Sequence, residues 1–151
     1  MNPFDFHLPT KILFGRGRIA VLGAHVPVEN ERVFIVTDDT IASRTPALTA
    51  TLQALPGREI RIFTRIEENP SIETVEEAGS EARAFRAQFV IGLGGGSPMD
   101  AAKGVAMLAT NAGPLVRFLE GSLMEHHPLP VIAIPTTSGT GSEVTPYAVF
   151  T

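Results

Sequence analysis

Two stretches of this chain are apolar at every position rather than at every second one: Val33-Phe34-Ile35-Val36 and Phe89-Val90-Ile91-Gly92-Leu93. A strand with one wet face alternates, whereas a strand apolar throughout has to be covered on both faces. Thr37 closes the first run, and further short runs stand at 60–64 and 131–134. Helical patterns separate them, over 40–55, from Asn69-Pro70-Ser71 to about Gln88, and over 98–110. In the second, Ile72, Val75, Ala78, Ala82, Phe85 and Phe89 fall three to four apart, one face of a helix. Glu73, Glu76 and Glu77 lie near its start, where the helix dipole favours carboxylates. Pro56-Gly57 and Asn111-Ala112-Gly113-Pro114 punctuate the pattern. The expectation is an α/β, Rossmann-like parallel sheet with helices on both faces, filling residues 1–151. An N-terminal hairpin or extended arm (4–8 and 11–14) and a short helix (18–25) should precede it, and a fifth strand should begin at 147–151.

Composition narrows the function classes. Lys and Arg number 12 against 16 Asp and Glu, a net charge of −4, with no basic stripe to release counterions from a phosphate backbone. No nucleic-acid partner is expected. No apolar run approaches the ~18 residues that span a bilayer, and the first residues lack a charged segment followed by an apolar one. With no cysteine, disulfides, thiolate chemistry and Cys-ligated zinc are excluded. The reading is a soluble, cytoplasmic protein with no membrane partner. His126-His127 are adjacent, so their side chains diverge, and His7 and His25 are isolated. No His-x3-His or Asp-x3-His pair, G-x-S-x-G elbow or phosphate-binding Gly-x4-Gly-Lys-Ser/Thr loop appears, so neither metal ligands nor catalytic residues are assigned.

Parallel sheets bind ligands at the carboxyl ends of their strands. The third strand runs into Gly94-Gly95-Gly96-Ser97-Pro98-Met99-Asp100. Three glycines let a bulky anion approach the backbone, and Ser97 as N-cap, Pro98 at N1 and Asp100 at N3 would form a capping box. That places free N–H groups at a helix N-terminus, a phosphate site. The alternative is a tight turn without ligand. Asp100 either caps or bonds a cofactor hydroxyl or amide, and Lys103 reads as its partner within the helix. Ala101, Ala102, Ala106 and Ala109 let that helix pack close to the sheet. Gly92-x-Gly94-x-x-Ser97 approximates the dinucleotide fingerprint, but the acidic residue expected ~20 residues later is missing. Asp38, ending the first strand, is the candidate instead. It would accept from a ribose diol and repel a 2′-phosphate, favouring NAD over NADP; an Asx turn or N-cap explains it equally well. After the fourth strand, Thr136, Thr137, Ser138, Thr140, Ser142 and Thr145 form a hydroxyl-rich stretch suited to a polar ligand or to a solvated loop.

Taken together, Val36-Thr37-Asp38, Glu68-Asn69-Pro70-Ser71, the run from Gly94 to Lys103, and the run from Pro135 to Thr145 resemble the iron-containing alcohol dehydrogenases. The Phe14-Gly15-Arg16-Gly17 turn fits as well. The resemblance implies a cofactor domain in which Gly94, Gly95, Gly96 and Ser97 hold a pyrophosphate and Asp38 the adenosine ribose. Asn69 and Asp100 would lie beside the cofactor, Thr136, Thr137 and Thr140 along the adenine and ribose path, and Val149 on the nicotinamide side. It also implies a C-terminal helical domain carrying a divalent metal, Fe2+, on one Asp and three His, which this chain does not contain. The 151 residues then read as the cofactor-binding half of an NAD-dependent enzyme that moves a hydride between a small alcohol and its aldehyde or ketone, inactive by itself. The N-terminal segment is a candidate for pairing two copies. The alternatives are a nucleotide- or phosphate-binding module without redox chemistry, and a zinc polyol dehydrogenase relative, whose loop commonly reads Gly-Gly-Gly-Lys.

Overall fold

The computed structural model describes residues 8–27, 29 and 31–151. Among them four strands form one parallel sheet: β1 (Arg32–Val36), β2 (Glu59–Phe63), β3 (Phe89–Gly94) and β4 (Val131–Pro135), in the order β2-β1-β3-β4. The helices are α1 (Asp39–Arg44), α2 (Ala47–Gln53), α3 (Ile72–Ala84), α4 (Gly96–Thr110) and α5 (Leu115–Leu119). The chain steps one way from β1 to β2 and the other way through β3 to β4. Right-handed crossovers then force the connecting helices onto opposite faces. Phe34, Val36, Phe63 and Val90 pack beneath α3 and α4. Val33, Ile35, Ile91 and Leu93 pack on the other side, with Leu22, Leu48 and Leu52. Both central strands are thus buried on two faces, as their unbroken apolar runs require.

The differences from the sequence reading have local causes. The helix expected over 40–55 is two helices, because Thr45 is extended before Pro46, which clashes with a helical predecessor and has no N–H to give. Helix α3 stops at Ala84 rather than near Gln88. Ala87 N–H bonds to the Ala82 carbonyl and Arg86 N–H to that of Arg83, a Schellman stop with Arg86 at φ 55° in place of glycine. Helix α5 lies where the sequence pattern marks no element; it begins after Pro114, and the Leu115 N–H donates to Glu76 Oε1 at 2.6 Å. Residues 147–151 do not add a strand to the sheet. Thr151 N–H donates to the Pro70 carbonyl and its own carbonyl accepts from Ile72 N–H, both at 3.0 Å. Arg18–His25 is a 3₁₀ helix. Of the expected arm, residues 4–7 lie outside the described residues, and 11–14 are not a strand.

Helices α3 and α4 cross closely. A Cβ at Gly79 would lie 2.7 Å from Leu108 Cβ, and one at Gly104 2.7 Å from Val75 Cγ1. Small residues at the crossing bring α3 and α4 close together, while Gly92, whose Cβ would lie 2.8 Å from Ala102 Cβ, lets α4 approach the sheet.

Candidate functional site

The order β2-β1-β3-β4 reverses direction between β1 and β3, so their connections leave on opposite faces and a crevice opens at their carboxyl ends. Asp38 and the glycine loop lie there. Asp38 Oδ1 accepts from Ile41 N–H at 2.8 Å, capping α1. Its Oδ2 has no hydrogen-bond partner among the described residues, and a Cβ at Gly94 would stand 3.3 Å from it. The two roles weighed for this side chain are therefore compatible: one oxygen caps, the other faces the crevice.

The glycines differ from one another. Gly94 has φ +148°, and its Cβ would meet Pro98 Cγ at 2.7 Å, so no other residue fits without strain. A Cβ at Gly96 would press on Thr140 Cγ2 at 3.1 Å, whereas one at Gly95 would only touch Thr137 Oγ1 at 3.4 Å. The Thr137–Thr140 loop thus overlies the glycine loop. Thr136 is placed differently: its N–H donates to the Gly94 carbonyl at 2.8 Å, extending the ladder between β3 and β4.

The expected capping box does not form. Helix α4 begins at Gly96 with Gly95 as N-cap and no side-chain cap, which puts Ser97 and Pro98 inside the first turn and Asp100 beyond it. Ser97 Oγ instead accepts from Asn69 N–H at 3.1 Å across the crevice. First-turn N–H groups have no acceptor within the helix, so an uncapped start leaves them for an anion. Asn69 adopts φ 53°, and its carbonyl accepts from Thr151 Oγ1 at 2.9 Å. Nearby, Glu67 Oε1 accepts from Ser71 N–H, Ser71 Oγ and Thr74 Oγ1 at 2.8–2.9 Å. Desolvation pushes the Glu67 carboxyl up, but the Ser71 N–H, the Glu67 N–H and the Ser71 and Thr74 hydroxyls together outweigh it and hold it below its ordinary value.

Asp100 faces the segment that follows β4. Its Oδ1 accepts from Ser142 Oγ at 2.5 Å and from Lys103 Nζ at 3.1 Å, and its Oδ2 from Val149 N–H at 3.1 Å. Lys103 is not merely a partner within the helix. Its ammonium also donates to Ser142 Oγ at 2.9 Å and to the Tyr147 carbonyl. Sequence reasoning missed the Lys103–Ser142 contact because the two stand 39 positions apart and no local pattern joins them. Among the described residues, no three His, Asp or Glu side chains gather where they could hold a metal ion. No helix among them is long and apolar enough to cross a membrane.

The family profile for iron-containing alcohol dehydrogenases matches residues 9–151. The chain belongs to the iron-containing alcohol dehydrogenase family. Sulfoacetaldehyde reductase of Bilophila wadsworthia is 37% identical over 149 residues, covering 94% of this chain and 37% of the relative. The NADPH-dependent aldehyde reductase YqhD of Escherichia coli is 35% identical over 146 residues, covering 95% of this chain and 38% of the relative. Among solved structures, the NADH-dependent butanol dehydrogenase A of Thermotoga maritima superimposes with a TM-score of 0.91 at 32% identity. It covers 100% of this chain and 39% of that one. The chain therefore spans less than two-fifths of these members of the iron-containing alcohol dehydrogenase family. What it shares with the butanol dehydrogenase is the fold of these 151 residues.

Proposed function

We propose that this chain binds NAD in the crevice between β1 and β3 and forms the cofactor-binding part of an oxidoreductase acting on a small alcohol or aldehyde. The observation that carries the reading is the convergence, at the sheet's reversal point, of a free carboxylate oxygen on Asp38, an uncapped helix start at Gly95-Gly96-Ser97, and the overlying Thr137 and Thr140. Dinucleotides suit such a place because the helix start takes the pyrophosphate and a carboxylate at a strand end takes a ribose diol. When bound, NAD supplies the hydride acceptor, its nicotinamide C4. The residues of this chain orient it: Gly94, Gly95, Gly96 and Ser97 at the pyrophosphate, Asp38 at one ribose, and Asn69, Thr136, Thr137 and Thr140 along the crevice walls. Asp100 and Val149 bound its far side.

We place the metal, Fe2+, on donors outside these residues; when bound it would act as the Lewis acid that polarises the alcohol or carbonyl oxygen. Pairing of two copies through the N-terminal segment and a cytoplasmic location belong to the same reading.

The test is Gly95→Ala, because the added methyl meets only ordinary contact in the protein and would occupy the approach to the helix start. NADH affinity, read from its fluorescence on titration, should fall about tenfold, the equivalent of 1.4 kcal/mol, with the circular dichroism unchanged. Undiminished NADH binding by the folded variant would remove the helix start from the site.

A further inference from the structure

We propose that Lys103 is a positioning residue that holds the chain segment 142–149 against α4 and thereby shapes the half of the crevice on the β4 side. The proposal rests on the dinucleotide reading above. An ammonium carries three N–H donors and no acceptor. Lys103 Nζ meets three acceptors on three separate pieces of chain: Asp100 Oδ1 one turn earlier in α4, Ser142 Oγ after β4, and the Tyr147 carbonyl. Each donor has its own partner, so the group is saturated. Ser142 is buried, and the Asp100 and Lys103 side chains are only 15% and 19% exposed. A pair of exposed side chains four positions or fewer apart contributes little, but this cluster is partly desolvated and joins residues up to 49 apart.

The consequence for a ligand follows from where the cluster stands. If Asp38 takes one ribose on the β1 side and the start of α4 takes the pyrophosphate, the other nucleotide half extends toward β4. There the wall is residues 142–149. Val149 N–H is held by Asp100 Oδ2, and Asp100 is itself held by Lys103. The Val149 side chain is exposed, with little packing of its own to fix it. Without the ammonium, the Asp100 carboxylate loses its counter-charge and the Tyr147 carbonyl its donor. Lys103 touches no part of the ligand in this account; it acts through Asp100, Ser142 and the backbone. Arginine is a poor substitute, since a planar fork cannot point three donors at acceptors arranged around a single nitrogen.

The test compares ADP, which reaches Asp38, the helix start and the overlying Thr137–Thr140 loop, with NAD, whose second nucleotide half also extends along residues 142–149. In Lys103→Met, ADP affinity by calorimetry should stay within about twofold while NAD affinity falls about tenfold. Hydrogen exchange at the Val149 amide should accelerate while β3 keeps its protection. A general loss of folding would lower both affinities and expose β3 as well. Should Lys103→Met not fold, Ser142→Ala removes one acceptor from the same cluster and should reduce NAD affinity selectively. An NAD-to-ADP affinity ratio that stays at the unmutated value in the folded variant overturns the role of Lys103. Unmutated protein that binds neither ADP nor NAD overturns the dinucleotide reading, and the proposal with it.

Discussion

Asp38 shows how one side chain can cap a helix and still leave an acceptor open. Its Oδ1 caps α1 through Ile41, and its Oδ2 stands open beside Gly94. Replacing it by alanine removes both functions, and loss of an N-cap alone costs about 1 kcal/mol, so that variant confuses stability with binding. Asp38→Asn separates them. The asparagine oxygen keeps the cap, while an amide N–H replaces the acceptor and the charge vanishes. A 2′-phosphate then meets a donor instead of a like charge, a change of about 1–3 kcal/mol. The expected outcome is an NADP-to-NAD affinity ratio at least about tenfold higher than in the unmutated protein, with the melting temperature little changed. Equal affinities for the two cofactors before mutation would show that Asp38 does not face the 2′ position.

The start of α3 is held by a titratable clasp. Ser71 caps the helix through Thr74 N–H, and Glu67 grips Ser71 and Thr74 from outside the helix. The Glu67 carboxyl lies below its ordinary value, so its contribution is complete above ~4.3, the unfolded value, and fades as pH falls through the folded one. Amide chemical shifts of Ser71 should therefore titrate with a midpoint below ~4.3. In Glu67→Gln that transition should vanish. A midpoint at or above the ordinary glutamate value would mean that the three hydrogen bonds do not hold in solution.

The same element marks how far the sequence was legible. The body of α3 was plain from the spacing of Val75, Ala78 and Ala82, and the double burial of β1 and β3 from their unbroken apolar runs. The end of α3 was not, because Arg86 adopts a left-handed conformation that sequence patterns reserve for glycine. At the candidate site, the glycine loop stands out in the sequence because its three glycines are contiguous. The start of α4 was misplaced by two residues because Ser97 spends its hydroxyl on Asn69, 28 positions away. The clasp of Lys103, Asp100, Ser142 and Val149 was invisible for the same reason. Contacts between distant segments leave no local period.

Across the whole molecule, the crevice depends on how closely α4 lies to the sheet. Gly92 decides that distance. Its backbone is unstrained, yet a Cβ there would fall 2.8 Å from Ala102 Cβ, 3.0 Å from Met99 Cα and 3.2 Å from the Pro98 carbonyl oxygen. Two of these are backbone atoms of α4 and the third is a Cβ, so no flexible side-chain end can turn aside. In a strand interior, alanine would by itself be the better residue, but forcing a methyl into a close-packed seam costs about 1–3 kcal/mol and outweighs that gain. Gly92→Ala should therefore lower the midpoint of urea unfolding. It should also weaken NADH binding, because the only relief is to lift the first turns of α4 away from β3, carrying the Gly95-Gly96-Ser97 start with them. The contrast with Gly95→Ala is the check. Each adds one methyl, the first inside β3 and the second at the N-cap of α4. The second should impair binding with only the modest loss of stability that alanine costs at an N-cap, whereas the first should lower stability further and impair binding as well. If Gly92→Ala is destabilised yet binds NADH as the unmutated protein does, the helix start moves without consequence, and the site is not set by the packing of α4 on β3.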